Sequence, residues 1–149
     1  SVSVRKFIYA EQGAARAIKT DEWEYISLRY TDEQIASAQG NRSDRAFKTF
    51  LGLSGGISRA KDFHPGTFSA DQLYHLTHDP TSQKNLAGDQ GYARQLRKMK
   101  SMLTNTVKKL GPRPYGDFVP GKGTNDAATS QEILDKLSVY HTTNGKKKK

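Results

Sequence analysis

The stretch DQLYHLTHDPTSQKNLAGD, residues 71–89, decides how the rest of the chain is read. Its first six residues alternate, with Leu73 opposed to Tyr74, which is the period of a strand. Asp79-Pro80 then breaks the run. Proline fixes its own φ and pushes its predecessor out of the helical region. Asp89 has the chemistry of a helix N-cap. The same stretch crowds His75, His78 and Asp79 into five positions, so a metal or acid–base site has to be weighed. On a helix, imidazoles at i and i+3 could share a metal. In the strand-to-turn reading they diverge, and zinc would still want a third ligand and a second shell. His64 and His141 are remote in sequence. The stretch therefore reads as strand, turn and helix entry, with no metal assigned.

The strongest period in the chain lies just beyond Asp89. Tyr92, Leu96, Met99, Leu103, Val107 and Leu110 recur at steps of three and four, which predicts an amphipathic helix of about five turns. Gly111-Pro112 ends it. Upstream, VRKFIYA (4–10), ARAIKT (15–20) and WEYISLRY (23–30) read as strands rich in β-branched and aromatic residues. The last two are joined at Asp21-Glu22 as a hairpin. Ile18 shares a face with Arg16, and Trp23 shares one with Tyr25, the pattern of an antiparallel sheet covered on one face. Between the hairpin and residue 71, 31–38 and 44–53 are short helix candidates and 54–68 is a glycine-rich loop. Segment 111–126 is rich in proline and glycine, 129–140 is a shorter helix with Ile133, Leu134, Leu137 and Tyr140 on one side, and the tail from Thr142 is expected to be disordered.

The bulk numbers bound the function classes. With 149 residues there is room for one domain with a core. No apolar run approaches the ~20 residues a membrane span needs. The absence of cysteine removes disulfides, thiolate nucleophiles and cysteine zinc sites. The net charge is +9, but Lys146–Lys149 supply four of those charges, so the body is only moderately basic. Strand-like sequence begins near Val4, as expected of a chain cut from something longer.

Three groups of residues could carry binding or chemistry. Ser54-Gly55-Gly56 has neither the G-x-S-x-G context of an activated serine nor a phosphate-loop pattern, so it reads as a flexible loop. Arg94, Arg97, Lys98, Lys100, Lys108 and Lys109 in the long helix, and Arg113 just after it, succeed one another with no acid between Tyr92 and Gly116. That is the composition of a nucleic-acid patch, and equally of a solvated face or one docked on an acidic neighbour. Arg59, Lys61 and His64 place three potential cations in six residues of the glycine-rich loop. They could form an anion-binding rim or the ordinary charge of an exposed loop.

Two segments resemble a known family. RAIKTDEWEYI (16–26) is similar to the hairpin near the C-terminal end of formylglycine-dependent sulfatases. There, Arg-Ala-Val/Ile-Arg/Lys-Thr precedes an aromatic-Lys-Tyr-Ile strand. Residues 71–89 resemble the same family's Glu-Leu-Tyr-Asp-Leu, Asn-Asp-Pro and Glu-x-x-Asn-Leu-Ala, matching at Leu73, Tyr74, Leu76, Asp79, Pro80, Asn85 and Leu86. His75 stands where the family often has Asp, Glu24 replaces the common Lys, and the connection 31–70 is longer. The resemblance covers roughly residues 4–120.

The resemblance implies an α+β fold, a small antiparallel β-sheet packed by one long C-terminal amphipathic helix, docked on a larger α/β domain of the alkaline-phosphatase type outside this chain. Residues 1–120 would be the subdomain, 121–141 an extension with a short helix, and 142–149 a disordered basic tail. The partner would be the N-terminal catalytic domain, which holds a formylglycine nucleophile and calcium. This chain matches no Cys/Ser-x-Pro-x-Arg motif, so no catalytic residue, metal ligand or cofactor is assigned to it. The implied substrate is a sulfated carbohydrate, and the implied location is periplasmic or extracellular. Arg59, Lys61 and His64 are the expected substrate-side contacts. The alternatives are a small basic module binding nucleic acid or anionic polysaccharide through the long helix, and a non-catalytic interaction protein.

Overall fold

A computed structural model describes residues 6–12, 14–29, 66, 69–110, 128, 131–132 and 134–135. The fold of these residues is α+β. Strands β1 (Ile8–Gln12), β2 (Ala15–Lys19), β3 (Trp23–Leu28) and β4 (Asp71–His75) form one antiparallel sheet in the order β1-β2-β3-β4. Helix α1 (Ala93–Lys109) lies across it. The expected short helices at 31–38 and 44–53 lie outside the described residues, as do 111–126 and the tail. Within the expected 129–140 helix, residues 131, 132, 134 and 135 are helical.

The hairpin between β2 and β3 turns at Asp21-Glu22 as the sequence predicts. Thr20 N–H donates to Trp23 O (2.8 Å), and Trp23 N–H donates to the Thr20 hydroxyl (2.9 Å). Threonine thus supplies by its side chain the closure that an Asn-Gly pair supplies by its backbone. β1 differs from expectation, running over 8–12 rather than 4–10. Its extent is set by its partner. Ile8 pairs with Lys19 and Gln12 with Ala15, so Glu11 and Gln12 are drawn into the ladder despite weak strand preference.

Register aligns the sheet in transverse rows. Tyr9, Ile18, Tyr25 and Leu73 form one row under α1. The helix answers with Met99, Leu103 and Val107 at steps of four, and Leu86 closes the side. Each such fully buried side chain contributes about 1.5–3 kcal/mol. The expectation of one covered face needs correcting at β4. Tyr74 and Gln72 point away from α1, yet both are buried. Leu134 is buried as well, and the Gln131 side chain accepts from Ala70 N–H (2.8 Å). Gly66 lies so close that a Cβ there would sit 2.2 Å from the Tyr74 hydroxyl oxygen.

The outer edge of β4 is closed by side chain and loop. Asn85 Oδ1 accepts from Leu73 N–H (2.9 Å) and Ala87 N–H (3.0 Å), and its Nδ2 donates to Asp71 O (3.1 Å). Leu86 N–H donates to Leu73 O (2.8 Å). One amide and one peptide thus stand in for a fifth strand. Upstream, the Asp79 carboxylate accepts from Gln83 N–H (2.9 Å) and Lys84 N–H (2.7 Å), which shapes the turn after Pro80. Asp89 accepts from Gly91 N–H (2.8 Å) and caps the short 3-10 turn Gln90–Tyr92 that opens α1.

Candidate functional site

β3 and β4 are neighbours in the sheet, with Ser27 opposite Asp71, yet about forty residues separate them in the chain. The excursion carrying Arg59, Lys61 and His64 therefore leaves and returns at one end of the sheet. Arg59, Lys61 and His64 themselves lie outside the described residues, as do Ser54, Arg113 and His141. The described part of this region is the root of the excursion.

Arg29 comes directly after the last residue of β3 and is buried. Its Nη1 donates to Leu28 O (2.8 Å) and Ala70 O (2.7 Å), and its Nη2 to Asp71 Oδ1 (2.6 Å). One guanidinium thus ties the outgoing chain to the returning one. Asp71 Oδ1 also accepts from the Tyr25 hydroxyl (2.8 Å), and Oδ2 pairs with Lys100 Nζ from α1. In the neighbouring strands, Arg16 Nε lies 3.3 Å from Glu11 Oε2, its register partner. The planar fork of arginine suits the Arg29 position because it can serve two carbonyls and a carboxylate at once.

The electrostatics describe a clamp. Burial works against the Asp71 charge, but the hydrogen bond from Lys100, the charge and hydrogen bond of Arg29 and the Tyr25 hydroxyl outweigh it and hold the carboxyl below its ordinary range. Burial, reinforced by the Asp71 charge, pushes the Tyr25 hydroxyl well above the ordinary tyrosine value. At neutral pH Asp71 is ionised and Tyr25 is protonated. Neither is poised near 7 as a general acid or base would be. The cluster ties the end of β3 to the start of β4 and both to α1.

At the other end of the sheet Trp23, His75, His78 and Tyr92 gather. The Trp23 and His75 ring centroids are 4.3 Å apart, edge to face. His75 and His78 are 4.3 Å apart in the same manner, and Trp23 and Tyr92 are 5.9 Å apart. Here the expectation of diverging imidazoles is corrected. Strand β4 stops at His75, whose carbonyl accepts from His78 N–H (3.0 Å) and Asp79 N–H (2.8 Å). That tight turn folds the second ring back onto the first. His75 Nδ1 is buried with no hydrogen-bond partner among the described residues. Among those residues no three His, Cys, Asp or Glu side chains are grouped to hold a metal ion. Trp23 and Tyr92 pack on the core, so the cluster seals that end of it.

The basic residues of α1 divide. Lys100 turns to Asp71. Arg94, Arg97, Lys98, Lys108 and Lys109 are exposed. Sequence alone does not single out the clamp of Tyr25, Arg29, Asp71 and Lys100. Its visible traces are an acid at the first position of an apolar strand and an arginine continuing the run ISLRY.

No known family pattern matches the chain, and comparison with curated proteins finds no match.

Proposed function

We propose that this chain is the C-terminal part of a formylglycine-dependent sulfatase, supporting the catalytic domain and shaping a pocket for a sulfated carbohydrate. One observation carries the reading. The positions shared with that family are the ones that frame the sheet and helix. Leu73 lies in the core, Asn85 and Leu86 close the β4 edge, and Asp79 orders the turn. His75 and Glu24 depart from the family at positions where other contacts take over, since Glu24 accepts from the Ser82 hydroxyl (2.9 Å).

The chain matches no Cys/Ser-x-Pro-x-Arg motif, and among its described residues no three His, Cys, Asp or Glu side chains group as calcium ligands would. Nucleophile and metal would therefore belong to a larger α/β domain on which this subdomain docks, outside the cell membrane. What the chain itself supplies is position. The Arg29–Asp71 clamp joins the two ends of the segment that bears Arg59, Lys61 and His64, and two cations with an imidazole donor suit the anionic oxygens of a sulfate ester.

The first test is the coding sequence upstream of Ser1. A Cys/Ser-x-Pro-x-Arg motif there is expected, and an upstream region without one overturns the proposal. In the complete enzyme, alanine at Arg59, Lys61 or His64 is expected to lower kcat/KM on a sulfated carbohydrate by about 10-fold or more, the scale of one lost charge-assisted contact. Unchanged kinetics in all three variants would remove them from the pocket.

A further inference from the structure

The exposed side of α1 is a second feature, distinct from the excursion root. Arg94, Arg97, Lys98, Ser101, Asn105, Lys108 and Lys109 are all exposed, while Met99, Leu103 and Val107 are buried. At about 100° per residue the exposed set falls within a stripe about 120° wide, directly opposite the buried line. From Arg94 to Lys109 the stripe runs about 22 Å at 1.5 Å per residue. It holds five cations and no acid, and none of the five has an ion-pair partner among the described residues. Lys100, on the flank, is the one helix cation taken up by the fold among those residues.

We propose that this ridge is a binding surface for a sulfated polysaccharide chain, engaged outside the catalytic pocket. Three observations favour that polyanion. The stripe bears no aromatic side chain, so it offers unpaired bases no aromatic stacking platform. The α1 residues that flank the stripe, Gln95, Lys100, Met102 and Thr104, are half-buried, so they are not free to meet the walls of a DNA major groove. The apolar residues of α1 face the core, so the ridge has nothing to insert into a bilayer. A sulfated polysaccharide asks for something else, a line of cations with neutral donors and acceptors between them. Arg94, Arg97 and Lys98 form one group and Lys108 and Lys109 another, about 15 Å further along. Ser101 and Asn105 lie between them to meet sugar hydroxyls. The choice of sulfate over other anions rests on the sulfatase reading. The ridge itself does not.

The test compares two triple variants of the 149-residue chain that carry the same net charge. Arg94→Ala/Arg97→Ala/Lys98→Ala strips the ridge. Lys6→Ala/Lys19→Ala/Lys84→Ala removes three exposed cations elsewhere. Binding to heparin and to chemically desulfated heparin is measured by titration at several salt concentrations, with Trp23 fluorescence confirming the fold. The wild-type chain should bind heparin and not the desulfated polymer. The ridge variant should lose at least ~10-fold in affinity, and its slope of log Kd against log salt should fall by about 2. The control variant should lose less than about 3-fold. Equal losses in the two variants overturn the proposal, because net charge alone then explains binding. Absence of heparin binding at ~0.15 M salt overturns it, and so does equal or tighter binding of a duplex of about 30 base pairs or of anionic vesicles. Since no hydrolysis is read, failure here leaves the upstream-motif test of the sulfatase reading untouched, and the reverse holds too.

Discussion

Removing the Asp71 carboxylate should cost far more than its partly exposed position suggests. Its side chain is 16% exposed, but that of Arg29 is only 5% exposed. Asp71→Ala leaves the guanidinium buried with two carbonyls and no counter-charge. Breaking a fully buried pair from one side costs about 3–5 kcal/mol. The partial exposure of Asp71 lowers this, and Lys100, 37% exposed, can swing into water at little cost. The Tyr25 hydroxyl loses its acceptor as well, at about 1 kcal/mol. The expected loss is about 3 kcal/mol. At a urea slope of ~1.5–2 kcal/mol/M the midpoint should fall by about 1.5–2 M. Trp23 is the only tryptophan and packs on the core, so its fluorescence reports the transition. The sign of the shift sets the pH dependence. The folded carboxyl is held below its unfolded value, so its contribution is complete above about pH 4 and is lost as the pH falls through the folded value. The gap between wild type and Asp71→Ala should therefore close in acid. In a double-mutant cycle with Arg29→Met, the two losses should add to more than the double variant loses, by at least about 1 kcal/mol. A single variant within about 0.5 kcal/mol of wild type at pH 7 would refute the clamp.

Two further outcomes are expected. Asn85→Ala strands the N–H groups of Leu73 and Ala87 and should destabilise by about 2 kcal/mol, with faster amide exchange at Leu73 as the specific sign. In alkali, burial foremost, with the charges of Glu24 and Asp79, pushes the Tyr74 hydroxyl up to about 12. Its folded value is above the unfolded ~10, so its stabilising contribution is intact below about pH 10 and fades through pH 12. Tyr74→Phe should flatten that part of the stability–pH curve.

The helix and the hairpin are legible in the sequence because each is a local device. The period of Tyr92 through Leu110 needs only its own residues, and Thr20 closes its turn three positions away. Asp79 and Asp89 likewise act on backbone amides within five residues. Strand β1 is displaced from its expected range because its ends are dictated by β2. The clamp escapes the sequence for the same reason on a larger scale. Asp71 meets Tyr25 across 46 positions, Arg29 across 42 and Lys100 across 29. Nothing in the spacing of these residues announces that they meet until the register of β3 and β4 is known. The two histidines escape the sequence too: the register of β3 and β4 sets His75 opposite Trp23, and the turn that returns His78 to it depends on where β4 stops.

The closure of the β4 edge has a consequence for association. Among the described residues the sheet order ends at β1 on one side and at β4, covered by Asn85 and Leu86, on the other. A sheet with two open margins can recruit neighbours without limit, each addition exposing a fresh template. Closing a margin removes one of those templates. At β4 this is done jointly by the Asn85 side-chain amide and the Leu86 peptide, so no further strand can add beyond β4 without displacing both.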